Sequence, residues 1–486
     1  MIFLSVQPDT IYFVWQVELQ LFNLQQKNWP VRGIHVLFAY SEESGINQEA
    51  KSLCDKFPNS PIFFYPDTRE NKKYASTIRP HILQKHFAKF PDLRHEAIFY
   101  IDSDVIFREI PDFTELLSDD KWYASNTQSY MNCDLLINAF GYDNFEKMCH
   151  IVGVSAKEVI KNKFNTGGAQ YIIKDIPADF WHNVEYESNE LYDYLYHILF
   201  ENTNHNFFRN YPISVWLTEM WVVYWNTILV GKPFVIHPIM DFCWANGTKT
   251  QWNTTYMLHY TGGSKGVFFK KTDFTYATPF YRDLSYITDD SSSAGIRDLI
   301  LSYRSILNES RIKYNDVTFV ILAQDAVSLK LNLDYLLKYI DSNFLVIGQD
   351  SFESICKTYT LDNIQFVHLD ITTGKNVDNV LSGIDFKTDK IGVVSSDSIM
   401  PIQQIQQAVE KANNFYKVCP YNKIYKMDVL TSFLFEKLLD CEFLKSNVGK
   451  LFPKQDTNSL KCFFINRRKK ISTEITAING YLFLNH

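Results

Sequence analysis

Short apolar runs alternate along this chain with longer stretches of helical spacing, and the alternation begins at the first residues. Ile2-Phe3-Leu4-Ser5-Val6 predicts a strand, and Ile11 to Leu24 an amphipathic helix with Trp15 and Leu19 on one face. Gly33 to Ala39 predicts a second, buried strand, residues 46–57 a helix, and Pro61 to Tyr65 a third strand. Tyr74 to Phe90 has helical spacing interrupted at Arg79-Pro80, where a backbone donor is lost. Ala97 to Ile101 is a fourth strand. Strand and helix in strict alternation predict the α/β class, a Rossmann-like, mostly parallel sheet covered by helices on both faces.

Further along, Phe164 to Gln170 is a turn running into another strand, and Trp216 to Trp221 opens a helix. Residues 284–316, serine-rich and then charged, have the composition of a connector. The pattern then restarts. Val317 to Leu322 is a strand, Leu329 to Ile340 a helix, and Phe344 to Gly348 and Gln365 to Leu369 are strands. Ile391 to Ser395 leads into Asp397, and Pro401 opens a glutamine-rich helix. The expected organisation is a first domain over 1–283, a connector over 284–316 and a second α/β domain over 317–486.

Composition changes this picture little. The 486 residues are 46% hydrophobic and 21% charged, as in ordinary globular proteins, and leave room for at least two cores. Aromatics at 16% have two readings: core filler encoded by an AT-rich genome, or rings that stack on sugars. No pair of the eight cysteines has Cys-x-x-Cys spacing, so zinc and dithiol redox chemistry are not indicated and free thiols are expected. The first residues lack a basic leader and no stretch reaches the roughly 20 apolar residues of a membrane span, so a cytoplasmic location is expected, in the host if the protein is viral. Charge is uneven. Residues 411–486 hold 13 Lys/Arg against 6 Asp/Glu, a net of +7, leaving -14 on the preceding 410. Arg467, Arg468, Lys469 and Lys470 are either a solvated surface or a face that meets a polyanion.

The chemistry lies in two strings. Ile98-Phe99-Tyr100-Ile101-Asp102-Ser103-Asp104 delivers two carboxylates at a strand end, where open α/β sheets bind their ligands. His259-x-x-Gly262-x-x-Lys265 places an imidazole, a close-approach residue and an ammonium at fixed spacing. Carboxylate and imidazole ligands suit a hard or borderline divalent cation, and lysine suits the phosphate charge left over. Both strings resemble the signatures of metal-dependent nucleotide-sugar glycosyltransferases of the GT-A fold. The second resembles that of the glycogenin-like and bacterial galactosyltransferase-like retaining enzymes, although Gly266-Val267 stands where their string usually continues Pro-Trp.

That resemblance implies a GT-A domain, followed here by a degenerate GT-A-like copy in which Ser395 replaces the first aspartate and Asp397 keeps the second. It implies Mn2+ or Mg2+ on Asp102, Asp104 and His259, and a nucleotide-sugar donor, UDP-linked by expectation, against Arg79, Asp102, Ser103, Asn165, Gly167, Gly168, Gly262 and Lys265. Phe164-Asn165-Thr166-Gly167 looks like the donor-sugar segment of the same enzymes, with Gln170 close behind. Glu219, in Trp216-Leu217-Thr218-Glu219-Met220-Trp221, is a candidate base, nucleophile or sugar-hydroxyl acceptor, and Asp241 a second acid for that cleft. The Glu219 string and Arg79-Pro80 also resemble segments of plant hydroxyproline arabinosyltransferases and serine galactosyltransferases. Retention of anomeric configuration follows from the resemblance alone.

Three acceptors compete: hydroxymethylated pyrimidines in double-stranded phage DNA, ranked first because of the basic 467–470 cluster; a hydroxylated protein side chain; and a cytosolic glycan precursor. A non-catalytic pseudo-transferase that only binds, and a nucleotidyltransferase, are the rivals from other classes.

Overall fold

The computed structural model describes the chain apart from residues 31–32, 202–213, 264–265, 360–362, 370–380, 422, 428–451, 455–461, 470–475, 478–480 and 485–486. It has the expected α/β class, with parallel-rich sheets and helices. Two compact units are present: Met1–Lys271 with Ile287–Leu299, and Thr272–Tyr286 with Ile300–His486. These limits differ from the expected 283 and 316. The serine-rich run read as linker is buried: Ser292 Oγ donates to the Trp244 carbonyl at 2.5 Å and Ser293 Oγ to that of Ala245 at 2.6 Å. Serine looks like linker composition whether or not its hydroxyl is pinned to a neighbouring backbone.

The first unit contains β1 (Ile2–Pro8), β2 (Ile34–Tyr40), β3 (Ile62–Pro66), β4 (Ile98–Tyr100), β5 (Val105–Phe107), β6 (Tyr123–Asn126), β7 (Gly167–Ile173), β8 (Val235–Ile236), β9 (Phe242–Trp244) and β10 (Met257–His259). Its large sheet runs β3-β2-β1-β4-β7-β6-β8. Pairing is parallel from β3 to β4, antiparallel on both sides of β7, and parallel again from β6 to β8. β1 is buried on both faces, as a central parallel strand must be, which explains its unbroken apolar run. A second sheet, β5-β10-β9, joins the segment that follows β4 to the end of the unit.

Helix Ile78–Lys89 begins where an interruption was expected. A short 3-10 turn, Ala75–Thr77, precedes it, and Arg79 and Pro80 lie in its first turn. Proline is tolerated there because the first helical N–H groups have no intrahelical partner. The Arg79-Pro80 pair therefore starts a helix, and the start is what carries Arg79 to the end of β4.

The second unit contains β11 (Ile312–Leu322), β12 (Ile340–Gly348), β13 (Ile364–His368), β14 (Lys390–Ser395), β15 (Ser398–Ile399), β16 (Lys417–Cys419), β17 (Lys423–Lys426), β18 (Phe452–Lys454), β19 (Cys462–Asn466), β20 (Thr476–Ala477) and β21 (Tyr481–Leu484). Its large sheet runs β13-β12-β11-β14-β19-β16-β20, matching the first unit strand for strand in order and in sense of pairing. The small sheet repeats as well: β15-β21-β17 answers β5-β10-β9, with β18 added. Among the described residues, no helix is long and apolar enough to cross a membrane.

Candidate active site

The chain leaves β4 through Ile101, whose N–H is held by the Leu4 carbonyl, and turns through Asp102-Ser103-Asp104 into β5. Antiparallel pairing of β5 with β10 sets Val105 opposite His259, so the imidazole arrives beside Asp104. His259 Nε2 lies 3.2 Å from Asp104 Oδ2 and 3.9 Å from Asp102 Oδ2. One ligand atom from each of Asp102, Asp104 and His259 lies within 4.8 Å of the others. Two carboxylates and an imidazole at this separation fit a divalent cation.

Helix Ile11–Gln26 fixes the aspartate loop with polar side chains that are themselves buried. Gln20 Nε2 donates to the carbonyls of Asp102 (2.8 Å) and Val105 (3.1 Å). Asn23 makes a two-way pair with the Phe107 backbone, at 3.0 and 2.7 Å, and Gln16 Oε1 accepts from Ser103 Oγ at 3.2 Å. Positions 16, 20 and 23 share one helical face. Amides at that spacing inside an apolar helix were a legible signal, and the apolar face drew the reading instead.

Charges around the triad are paired in a chain. Arg79 Nη1 donates to Asp102 Oδ1 at 2.5 Å, and its Nη2 pairs with buried Glu219. Lys271 Nζ pairs with Asp104. Burial alone would raise the Asp104 carboxyl, but the charges of His259 and Lys271 hold it well below the usual carboxylate range. Burial, with the nearby Asp102 charge, pushes Glu219 up against the opposing pull of Arg79. Burial works against the Lys271 ammonium, yet Asp104 and Tyr12 together raise it.

A cavity of about 540 Å³ opens on these groups, lined by Gln7 and Pro8 at the end of β1, by Tyr12 in helix Ile11–Gln26, by Arg79, Asp102, Ser103, Asp104, His259 and Lys271, and by Trp216 and Trp244. Ala169 lines it too. Its φ of 65° inside β7 lies where the register with β6 slips between Ala124 and Ser125, a bulge that turns the strand at the cavity wall.

Several expected site residues lie elsewhere. Glu219 is outside the lining, its carboxylate engaged by Arg79 and its N–H by the Tyr74 hydroxyl. Gln170 is buried; its Oε1 accepts from Ser125 Oγ at 2.6 Å, and its Nε2 has no partner among the described residues. Asn165 is half-buried and away from the lining. A Cβ on Gly167 would sit 2.6 Å from Ala124 Cβ, and one on Gly168 2.7 Å from Met220 Cε, so these glycines admit neighbouring side chains. Gly262 has a φ of +77°, and a Cβ on Gly263 would lie 1.8 Å from the Phe269 carbonyl oxygen, so the loop after β10 requires both glycines. Lys265 and Lys470 lie outside the described residues. Asp241 lines a neighbouring cavity. Arg467, Arg468 and Lys469 are exposed in the second unit; Arg467 donates to the Phe386 and Thr388 carbonyls, and Arg468 pairs with Asp389. Lys271 was missed because Lys265 held the motif offset.

The second unit gives a direct comparison at the same topological place. Asp397 precedes β15 as Asp104 precedes β5, and Ser395 stands where Asp102 does. Pairing of β15 with β21 sets Ser398 opposite Leu484, so buried Leu484 holds the register position of His259. Among the described residues at these positions, two of the three candidate ligands are replaced.

No family model matches this chain, and no curated protein does. Among solved structures, the apo form of the glycosyltransferase GlyE from Streptococcus pneumoniae TIGR4 is 11% identical, with 80% of this chain and 83% of that one covered and a TM-score of 0.31. Galactosyltransferase LgtC in complex with donor and acceptor sugar analogues is 12% identical over 62% of this chain and 96% of that one, with a TM-score of 0.29. Rv0371c from Mycobacterium tuberculosis H37Rv, in complex with manganese, is 8% identical over 34% and 89%, with a TM-score of 0.22.

Proposed function

We propose that the first unit is a metal-dependent glycosyltransferase of the GT-A type, moving a sugar from a nucleoside diphosphate, UDP by preference, to an acceptor hydroxyl. The observation that carries this reading is the convergence of Asp102, Asp104 and His259 at the end of β4, on a cavity that also receives Arg79 and Lys271. Asp102, Asp104 and His259 would hold Mn2+ or Mg2+, which when bound supplies charge stabilisation for a departing diphosphate. Lys271, paired with Asp104 and lining the cavity, is the described ammonium best placed to meet a phosphate oxygen. Arg79 orients Asp102 and faces the donor sugar, and Glu219 is a positioning residue that holds Arg79. In transfer, the bond from sugar C1 to the phosphate oxygen breaks while the acceptor oxygen bonds to C1. The hydroxyl proton passes to the departing phosphate. Retention follows the resemblance of the His259 string.

We assign the second unit a non-catalytic role, in acceptor binding or structure, because Ser395 and Leu484 replace two of three ligands. A place in the cytoplasm remains part of the reading. A hydroxymethylated DNA acceptor draws no support from Arg467 and Arg468, which are committed to neighbours in their own unit. The test is incubation of the protein with a panel of nucleotide-sugars and manganese. Release of a nucleoside diphosphate, lost in Asp104→Asn, supports the reading. Release of pyrophosphate from a nucleoside triphosphate and sugar phosphate would make it a nucleotidyltransferase, and no turnover at all a binding module.

A further inference from the structure

Beside the donor cavity lies a second one of about 660 Å³, within the roughly 300–1,000 Å³ common for small-molecule sites. The two share Tyr130 and Trp244 in their linings. Trp244 also stacks on His259, ring centroids 5.3 Å apart and 26° from parallel, so one side chain both lines the second cavity and touches a candidate cation ligand. Phe242 meets Trp244 edge-on at 4.7 Å and lines the second cavity too. The polar groups around these rings are the carboxylate of Asp241, the amides of Asn126, Gln128, Asn246 and Gln251, and hydroxyls. Among the described residues that line it, none is lysine or arginine. The Tyr130 hydroxyl at the shared wall is buried without a hydrogen-bond partner among the described residues.

Aromatic faces cover the C–H side of a sugar ring, while amides, carboxylates and hydroxyls meet its hydroxyl groups. A polyanion would require cations at the same surface and would be repelled by Asp241. We propose that this cavity is the acceptor subsite and takes a neutral carbohydrate, presenting one hydroxyl to the donor past Tyr130 and Trp244. The inference rests on the transferase reading above for the word acceptor, and on the lining alone for the word carbohydrate.

Saturation-transfer NMR on the full chain, with UDP and manganese present, tests it using lactose, maltose and cellobiose as probes. At least one disaccharide is expected to receive saturation on its ring protons. Asp241→Asn should weaken that binding about ten-fold, the loss of one charge-assisted hydrogen bond, and Ser129→Trp should fill the cavity and abolish it. Both variants should keep wild-type affinity for UDP with manganese, which also shows that they fold. Absence of any disaccharide signal from a wild type that binds UDP overturns the inference and spares the transferase. So does a signal that neither variant alters, or a hydroxymethylcytosine oligonucleotide that binds and is lost in the same two variants. Failure to bind UDP while a disaccharide signal persists and depends on Asp241 overturns the transferase and keeps the carbohydrate site.

Discussion

The two units share one strand order and one sense of pairing in their large sheets, and differ at the tip of the fourth strand. In the first, Asp102, Asp104 and His259 meet beside a cavity; in the second, Ser395, Asp397 and Leu484 hold the matching positions. Backbone topology therefore brings together two loops far apart in sequence twice over, and among the described residues only the first such place gathers side chains able to hold a cation. Fold supplies the meeting place, and on the proposed reading three side chains decide what it can bind.

The largest expected effect sets the two units against each other. Asp104→Asn should lower turnover by about a thousand-fold, as loss of a preorganised charge at a reacting diphosphate does, whereas Asp397→Asn should leave it within about two-fold. Manganese binding followed by electron paramagnetic resonance should give one site per chain, lost in Asp104→Asn and kept in Asp397→Asn. Two sites would dissolve the comparison.

Buried ion pairs sharpen it next. Arg79→Leu strands Glu219, and Arg282→Leu strands Asp334, whose carboxyl burial already pushes up against the pull of Arg282 and Lys330. Each should cost about 3–5 kcal/mol in thermal or denaturant unfolding. Only the first should also weaken UDP binding, which isothermal titration of the folded variants measures.

Lys271→Met comes third. An ammonium and a divalent cation both seek the Asp104 carboxylate. The variant should bind manganese more tightly without nucleotide, yet bind UDP with manganese about ten-fold more weakly, for want of a charged hydrogen bond to phosphate. Unchanged UDP affinity would move the phosphate role to Lys265.

The smallest effect is on stability alone. His86 is buried between His35 (2.9 Å) and the Tyr65 hydroxyl (2.8 Å), a cluster outside the cavity. Burial, with His35 and the Lys89 charge, holds its imidazole down at about 3, against an ordinary 6.5. Between those values the unfolded chain binds a proton that the folded chain refuses, so this contribution is complete above pH 6.5 and falls as pH drops. Half-buried Asp9, raised to about 6, and Glu187, raised to about 7, act in the opposite direction. The measurement is therefore the difference in melting temperature between wild type and His86→Leu, expected to shrink from pH 7 to pH 5.

Much of this was legible in the chain. Apolar runs marked β1, β2, β4 and β14 because strands buried on both faces have few polar positions to break them, and the half-buried β3 and β13 still kept enough apolar residues to be read as strands. Asp102, Asp104 and His259 were legible as candidates because few side-chain types hold a divalent cation and each lies in a short string, although the two strings stand far apart in the chain. Ser291 to Ser293 misled, since a serine pinned under β9 and one in solvent are spelled alike. Glu219 was legible as an important acid, while its engagement with Arg79 depends on where helix Ile78–Lys89 begins.

Local pattern along the chain was enough to establish the α/β class and the repeat of its strands, and to single out Asp102, Asp104 and His259 as candidate ligands, since periodicity and side-chain chemistry depend on near neighbours. Folding alone settled which partners those ligands meet. The pairing of β5 with β10 that sets His259 opposite Val105, the approach of Lys271 to Asp104, and the wall of Tyr130 and Trp244 between two cavities all join residues distant along the chain. Such contacts follow from sheet register and packing, which no single stretch of sequence encodes.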